Sequence, residues 1–542
     1  MDLNYVLLWF LAPACLLLLY RGWRARLAGW AGAALLVIAA TGVAWALRPG
    51  ACGYVGGVAF GVLVVLPLAG HRFVLKRMLQ QKYGAARRMA SLVRWLHPAD
   101  GWLELPRFLR ALESGQPATL DEAAELLSRR NAGRTTIGRL AIPLRYRLHN
   151  QWDEMRLWIE GELSPADRRH DPNLVVLYLR AFGELGDPNG LLQAFARLTR
   201  VTEGEGIALY RSLSRLMAFA FCGRKEAVER LFRGPLGLLP RPVQVFWLAT
   251  ADMALGDADA AREALKSIQG ACDPLTAAGI ERRLAQPLPV AEAVLLPAAR
   301  SILTLAEAGL DQEERYGPRA FAFRRTAQAT FVLIALNAAM FGLEMAFGGS
   351  TDHGALYRLG ALWPSAVARG EWWRLVAALF LHYGAVHLFL NMLALLLLGP
   401  FLEGAVGRAR YVLTYLLSGS GSMLAIAALA WSGRLGNEIT VGASGAIMGI
   451  VGATVAVFLR GWMRDRARIA SRRLAMLLFV IAYQVLFDLS TPQVSFTGHL
   501  SGAVIGFVVA FLACALPRVP HPREGKNPSY PPAGVKPAGR SV

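Results

Sequence analysis

VGASGAIMGIVGA at 441–453 and GHLSGAVIGF at 498–507 decide how this chain is read. Both stretches are apolar enough to lie in hydrocarbon. Both also repeat small residues at a spacing of four, Gly445 with Gly449 and Gly502 with Gly506, which makes a face where two helix backbones can approach closely. Each holds a polar group near its start, Ser444 in one and His499 in the other. Ser444 alone reads as well as a packing residue whose hydroxyl bonds its own backbone, but an imidazole has no packing reason to enter a membrane. The pair says more than either member. A serine hydroxyl becomes a nucleophile when a neighbouring base takes its proton, and histidine is the base suited to neutral pH.

Outward from these stretches the chain has the composition of a polytopic membrane protein. Mean hydropathy is +0.37 with 55% hydrophobic residues, gathered into runs long enough to cross a core about 30 Å thick. Six runs follow Arg324, near 329–347, 375–399, 410–431, 443–459, 474–490 and 498–516, and three precede it, near 5–20, 28–47 and 52–70. The opening run, Leu7 to Tyr20, leads into the basic RGWRAR and reads as a retained helix, not a cleaved signal. Between the two groups, residues 76–325 are more polar, with apolar positions recurring every three and four residues as in packed amphipathic helices. Turn signals at Asn150, Gly186, Gly223 and Gly256, and the stretch ADMALGDADAAREALKSI at 251–268, resemble a degenerate tetratricopeptide-like repeat. The expected fold is all-α. Three amino-terminal spans occupy 1–75, a cytoplasmic helical repeat-like domain 76–325, a six-helix bundle 326–517 and a disordered basic Pro/Gly-rich tail 518–542.

The net charge of +20 lies mostly beside the apolar runs, at 21–26, 71–90, 460–473 and 517–542. That distribution fits cytoplasmic loops against anionic lipid and excludes a nucleic-acid face. Cys15, Cys52, Cys222, Cys272 and Cys514 are scattered and odd in number, so neither a disulfide framework nor a zinc site is indicated. With HExxH absent, no metal or cofactor is expected.

RGWMRDRARIASRR, with six arginines between the fourth and fifth runs of the carboxy-terminal group, assigns that loop to the cytoplasm. The second, fourth and sixth helices then run from outside to inside. His387, Asn391, Ser444 and His499 all fall in their outer halves. In LHYGAVHLFLNMLALLLLG at 381–399, His387 and Asn391 are four apart and share one helix face, so both can donate to the oxyanion of a tetrahedral intermediate, together with the N–H of Ser444 at its helix start. His382, five before His387, faces elsewhere and reads as a loop or interfacial residue. Asp488, eleven before His499 near the outer end of the fifth helix, is not assigned as an acidic orienter.

These residues, with EWWRL at 371–375, GPFLEGAVGRARY at 399–411 and the order of the motifs, resemble the rhomboid family of intramembrane serine proteases over about 355–516. The resemblance implies Ser444 as nucleophile, His499 as base and His387 and Asn391 as oxyanion donors. It implies Gly442, Gly445, Met448, Gly502, Trp373 and Arg374 in support, with a first loop embedded in the outer leaflet around the Trp-Arg pair. Met448 stands where the family often has an aromatic stacked on the histidine. The expected partners are membrane proteins whose transmembrane helix is cut, the lipid bilayer, and a protein docked on the helical repeats. The expected location is a bacterial inner membrane. The alternative is a catalytically silent rhomboid-like adaptor that binds membrane-protein clients.

Overall fold

The computed structural model describes residues 2–25, 27–131, 136–161, 171–202, 208–316, 327–491 and 494–513, and the chain divides into compact units at 1–319 and 320–542. Among the described residues the architecture is all-helical, with a single isolated β-bridge.

In the first unit, three apolar helices span Leu3–Ala25, Ala28–Leu47 and Pro49–Leu79. The third is longer than expected, because it continues through the basic HRFVLKR stretch and passes the boundary drawn at residue 75. Helical hairpins follow: Thr136–Leu148 with Trp152–Gly161, Pro172–Glu184 with Pro188–Thr202, Ala208–Phe221 with Lys225–Arg233, and Arg241–Leu255 with Ala258–Ile268. The turns inside them are the four read from sequence. Asn150, Gly186, Gly223 and Gly256 all take positive φ, at 54°, 74°, 69° and 110°, the left-handed conformation that glycine and asparagine adopt at least cost when a helix stops. One core joins the hairpins and holds Trp152, Phe219, Phe246 and Leu265. Inside it Glu184 accepts from Arg180 Nε at 3.1 Å and from Arg283 Nη2 at 2.9 Å, so its buried carboxylate is matched by two guanidiniums. Burial pushes the Arg283 guanidinium down from its usual value. A later helix, Pro297–Tyr316, offers carboxylates to the array: Glu313 pairs with Arg211 and Arg215, and Asp311 and Glu314 pair with Arg230.

Among its described residues the second unit holds six long helices, α1 (Gln328–Ala346), α2 (Ala385–Val406), α3 (Arg408–Trp431), α4 (Ser444–Asp465), α5 (Arg468–Ser490) and α6 (Phe496–Ala513). Five are long and apolar enough to cross a membrane, and α6 is a shorter apolar helix over Phe496–Leu512. The second span differs from the sequence reading of 375–399. Arg374–Ala377 and Ala378–Phe380 are separate short turns, and α2 begins only after Gly384, which sits at φ +88°. A β-carbon is strained there, so the helical pattern upstream cannot join the helix below. Glu403 on α2 fixes α1 by accepting from the N–H groups of Ala329 and Thr330 at 3.1 and 2.9 Å, and from the Thr330 hydroxyl at 2.8 Å. It thereby satisfies donors that a helix start leaves open. The basic tail 518–542 and Cys514 lie outside the described residues.

Candidate active site

α4 and α6 meet along the two glycine faces. A β-carbon on Gly502 would collide with the carbonyl of Gly445, one on Gly506 with that of Gly449, and one on Gly452 with that of Ala503. These are backbone contacts. They bring the first turns of the two helices side by side, with the Gly498 carbonyl 3.4 Å from where a Gly445 β-carbon would sit. Ser444 is the first residue of α4 and half-buried, and His499 lies in the first turn of α6 at 8% exposure.

The segment that delivers Ser444 is pinned from the other side. Leu362 and Thr440 exchange backbone hydrogen bonds at 3.0 Å, and the Gly442 N–H donates to the Ala378 carbonyl at 2.9 Å. Gly442 is at φ +129°, and a β-carbon there would lie 2.8 Å from His387 Cε1, 3.0 Å from His387 Nε2 and 3.9 Å from Asn391 Nδ2. The imidazole and amide of α2 therefore reach over the residue two before Ser444. Asn391 is buried, and its Nδ2 finds no hydrogen-bond acceptor among the described protein atoms. Such an orphaned donor is what an oxyanion site offers an incoming charge.

Arg374 is 3% exposed. It donates to Glu371 at 2.7 Å and to the carbonyls of Tyr357 and Ala361 at 2.7 and 3.1 Å, which ties down the loop before α2. Its neighbour Trp373 is half exposed. Met448 lies half-buried one turn beyond Ser444.

Two residues sit differently from the sequence reading. His382 lies in the loop before α2, as read, but does not face away from the site: it is fully buried, its ring 5.2 Å from that of His387, and its N–H donates to Glu344 of α1 at 2.8 Å. The break before α2 removes the helical spacing that pointed it elsewhere. Asp488, left unassigned, is buried at the end of α5 and its Oδ2 lies 2.7 Å from His499 Nδ1, while its Oδ1 accepts from Gln484 Nε2 at 2.7 Å. Parity held the signal. The fifth helix ends and the sixth begins at the same membrane face, so eleven residues of sequence fold back to one point.

Residues 369–516 match the family model of the rhomboid domain. The putative rhomboid protease YdcA of Bacillus subtilis is 34% identical over 153 residues, which cover 69% of its length and 27% of this chain. The chain belongs to the rhomboid family. Rhomboid protease GluP of Bacillus subtilis is 35% identical over 39% of each chain, and RHOMBOID-like protein 6, mitochondrial, of Arabidopsis thaliana is 35% identical over 30% of this chain and 51% of its own. The match thus spans about half or less of those two relatives. Its rhomboid domain contains Trp373, Arg374, His387, Asn391, Gly442, Ser444, Gly445, Met448, His499 and Gly502. The hairpins and the three amino-terminal helices lie outside it. With its several apolar spans, this rhomboid is an integral, multi-pass membrane protein.

Proposed function

We propose that the chain is an intramembrane serine endopeptidase that cuts the transmembrane segments of other membrane proteins. The observation behind this reading is the glycine-closed contact of α4 with α6, which sets the first turns holding Ser444 and His499 against each other, beneath His387 and Asn391. In the proposed reaction His499 takes the proton of Ser444 as Oγ attacks the scissile carbonyl. The oxyanion then accepts hydrogen bonds from His387, Asn391 and the Ser444 N–H. Collapse expels the amine, which leaves with the proton held on His499, and water releases the acyl group by the reverse proton path. A substrate helix must unwind locally first, because its carbonyls are bonded within the helix.

The arginine-rich link between α4 and α5 supports a cytoplasmic side for both ends of the six-helix unit and an active site opening to the outer side, and we take a bacterial inner membrane as the location. We take the hairpins as a tetratricopeptide-like docking array for a protein partner.

The test is cleavage of a generic single-span substrate by the full chain in liposomes, with fluorophosphonate labelling alongside. Wild type should cleave and label, and Ser444→Ala and His499→Ala should do neither. Active-site labelling that is absent in wild type, with substrate still bound, supports the silent adaptor instead.

A further inference from the structure

We propose that Asp488 is the positioning residue for His499, an acid on α5 that holds the imidazole of the Ser444–His499 pair in its working orientation. This rests on the protease reading above. The hydrogen bond between Asp488 Oδ2 and His499 Nδ1 is 2.7 Å, the short range of a charge-assisted bond. Asp488 is also unusual for its helix. α5 is a lipid-facing helix whose buried residues are Ala470, Leu477 and Asp488, and the aspartate side chain is 1% exposed. A carboxylate held in an apolar setting costs several kcal/mol unless its oxygens are bonded. Here the described side-chain partners are His499 on one oxygen and Gln484, one turn earlier on the same helix, on the other. Gln484 therefore aims the carboxylate, and the carboxylate aims the imidazole.

The chemistry follows from which nitrogen is engaged. With Nδ1–H donated to Asp488, the ring is held in the tautomer whose lone pair is on Nε2, the form able to take the hydroxyl proton of Ser444. When that proton arrives, the imidazolium is stabilised by the adjacent negative charge. The titratable groups facing His499 are Asp488 from α5 and His387 from α2. Asp488 is the acid among them. An amide at 488 keeps the shape but offers either a donor toward Nδ1, which selects the wrong tautomer, or an uncharged acceptor.

The experiment compares wild type, Asp488→Asn and Asp488→Glu as full-length chains in liposomes, following kcat, KM and the rate of Ser444 labelling by a fluorophosphonate. Asp488→Asn should lower kcat by roughly 100-fold or more with KM within about twofold, and should slow Ser444 labelling in step. Asp488→Glu should recover part of the loss. Wild-type labelling together with an Asp488→Asn chain whose kcat and labelling rate stay within about threefold overturns the inference while leaving the protease reading intact. A wild type that shows no Ser444-dependent labelling removes both. Should Asp488→Asn fail to fold, the wild-type chain still answers: a far-downfield imidazole proton resonance, lost in His499→Ala, is expected, and its absence counts against the inference.

Discussion

The hairpin array of the first unit and the six-helix rhomboid domain are both packed α-helices, yet their interiors are made differently. The array is filled with large side chains, among them Trp152, Phe219, Phe246 and Leu265, and encloses the ion cluster of Arg180, Glu184 and Arg283. The rhomboid domain closes its central contact with glycines and almost no side-chain volume, and three of its buried hydroxyls bond their own helices, Ser418 to the Thr414 carbonyl, Ser422 to that of Gly419 and Thr454 to that of Ile450. The difference follows from the solvent. Where water is the alternative, burying large apolar groups drives folding. Between spans, lipid tails solvate leucine as well as a protein does, so close backbone approach and van der Waals contact must do the holding. Even within the domain the contrast repeats: 72% of the apolar window of α4 is buried against 11% of that of α5.

The largest effect should come from breaking the array's ion cluster. Glu184→Ala leaves two buried guanidiniums without their carboxylate and should destabilise the hairpins by about 3–5 kcal/mol. Hydrogen exchange of the full chain should show this as lost protection over 172–285, with the rhomboid domain unaffected. Leu265→Ala, at a fully buried position in the same core, should cost about 3 kcal/mol in the same measurement.

On the membrane side Gly506→Ala drives a β-carbon into the backbone carbonyl of Gly449, where nothing flexible can yield, and overpacking should cost roughly 2 kcal/mol in the unfolding of the spans in SDS–detergent mixtures. Leu477→Ala on α5 should cost least, about 1 kcal/mol, although it too empties a buried site. Its side chain leaves protein for lipid and never for water, so the transfer part of the cost is missing. If Leu265→Ala and Leu477→Ala prove equally costly, the solvent account of the two interiors is wrong.

Much of this was legible beforehand because membranes impose simple rules on sequence. The nine apolar runs, the turns at Asn150, Gly186, Gly223 and Gly256, and the glycine faces of α4 and α6 are local patterns whose structural meaning does not depend on distant partners. The break before α2 was not legible, because Arg374–Phe380 reads as helix by composition and only the turn at Gly384 and the carboxylate of Glu344 stop it. The direction of His382, though not its place in a loop, was misread for the same reason.

By itself, then, the amino-acid order determined which segments are helices in lipid and which polar side chains enter them, since hydropathy and small-residue spacing are properties of contiguous chain. Only the tertiary structure decided what those polar groups meet. Asp488 against His499, Glu403 at the start of α1 and His387 over Gly442 are pairings between separate helices. They follow from the rotation and depth of one helix against another, and those are set by where backbones can touch.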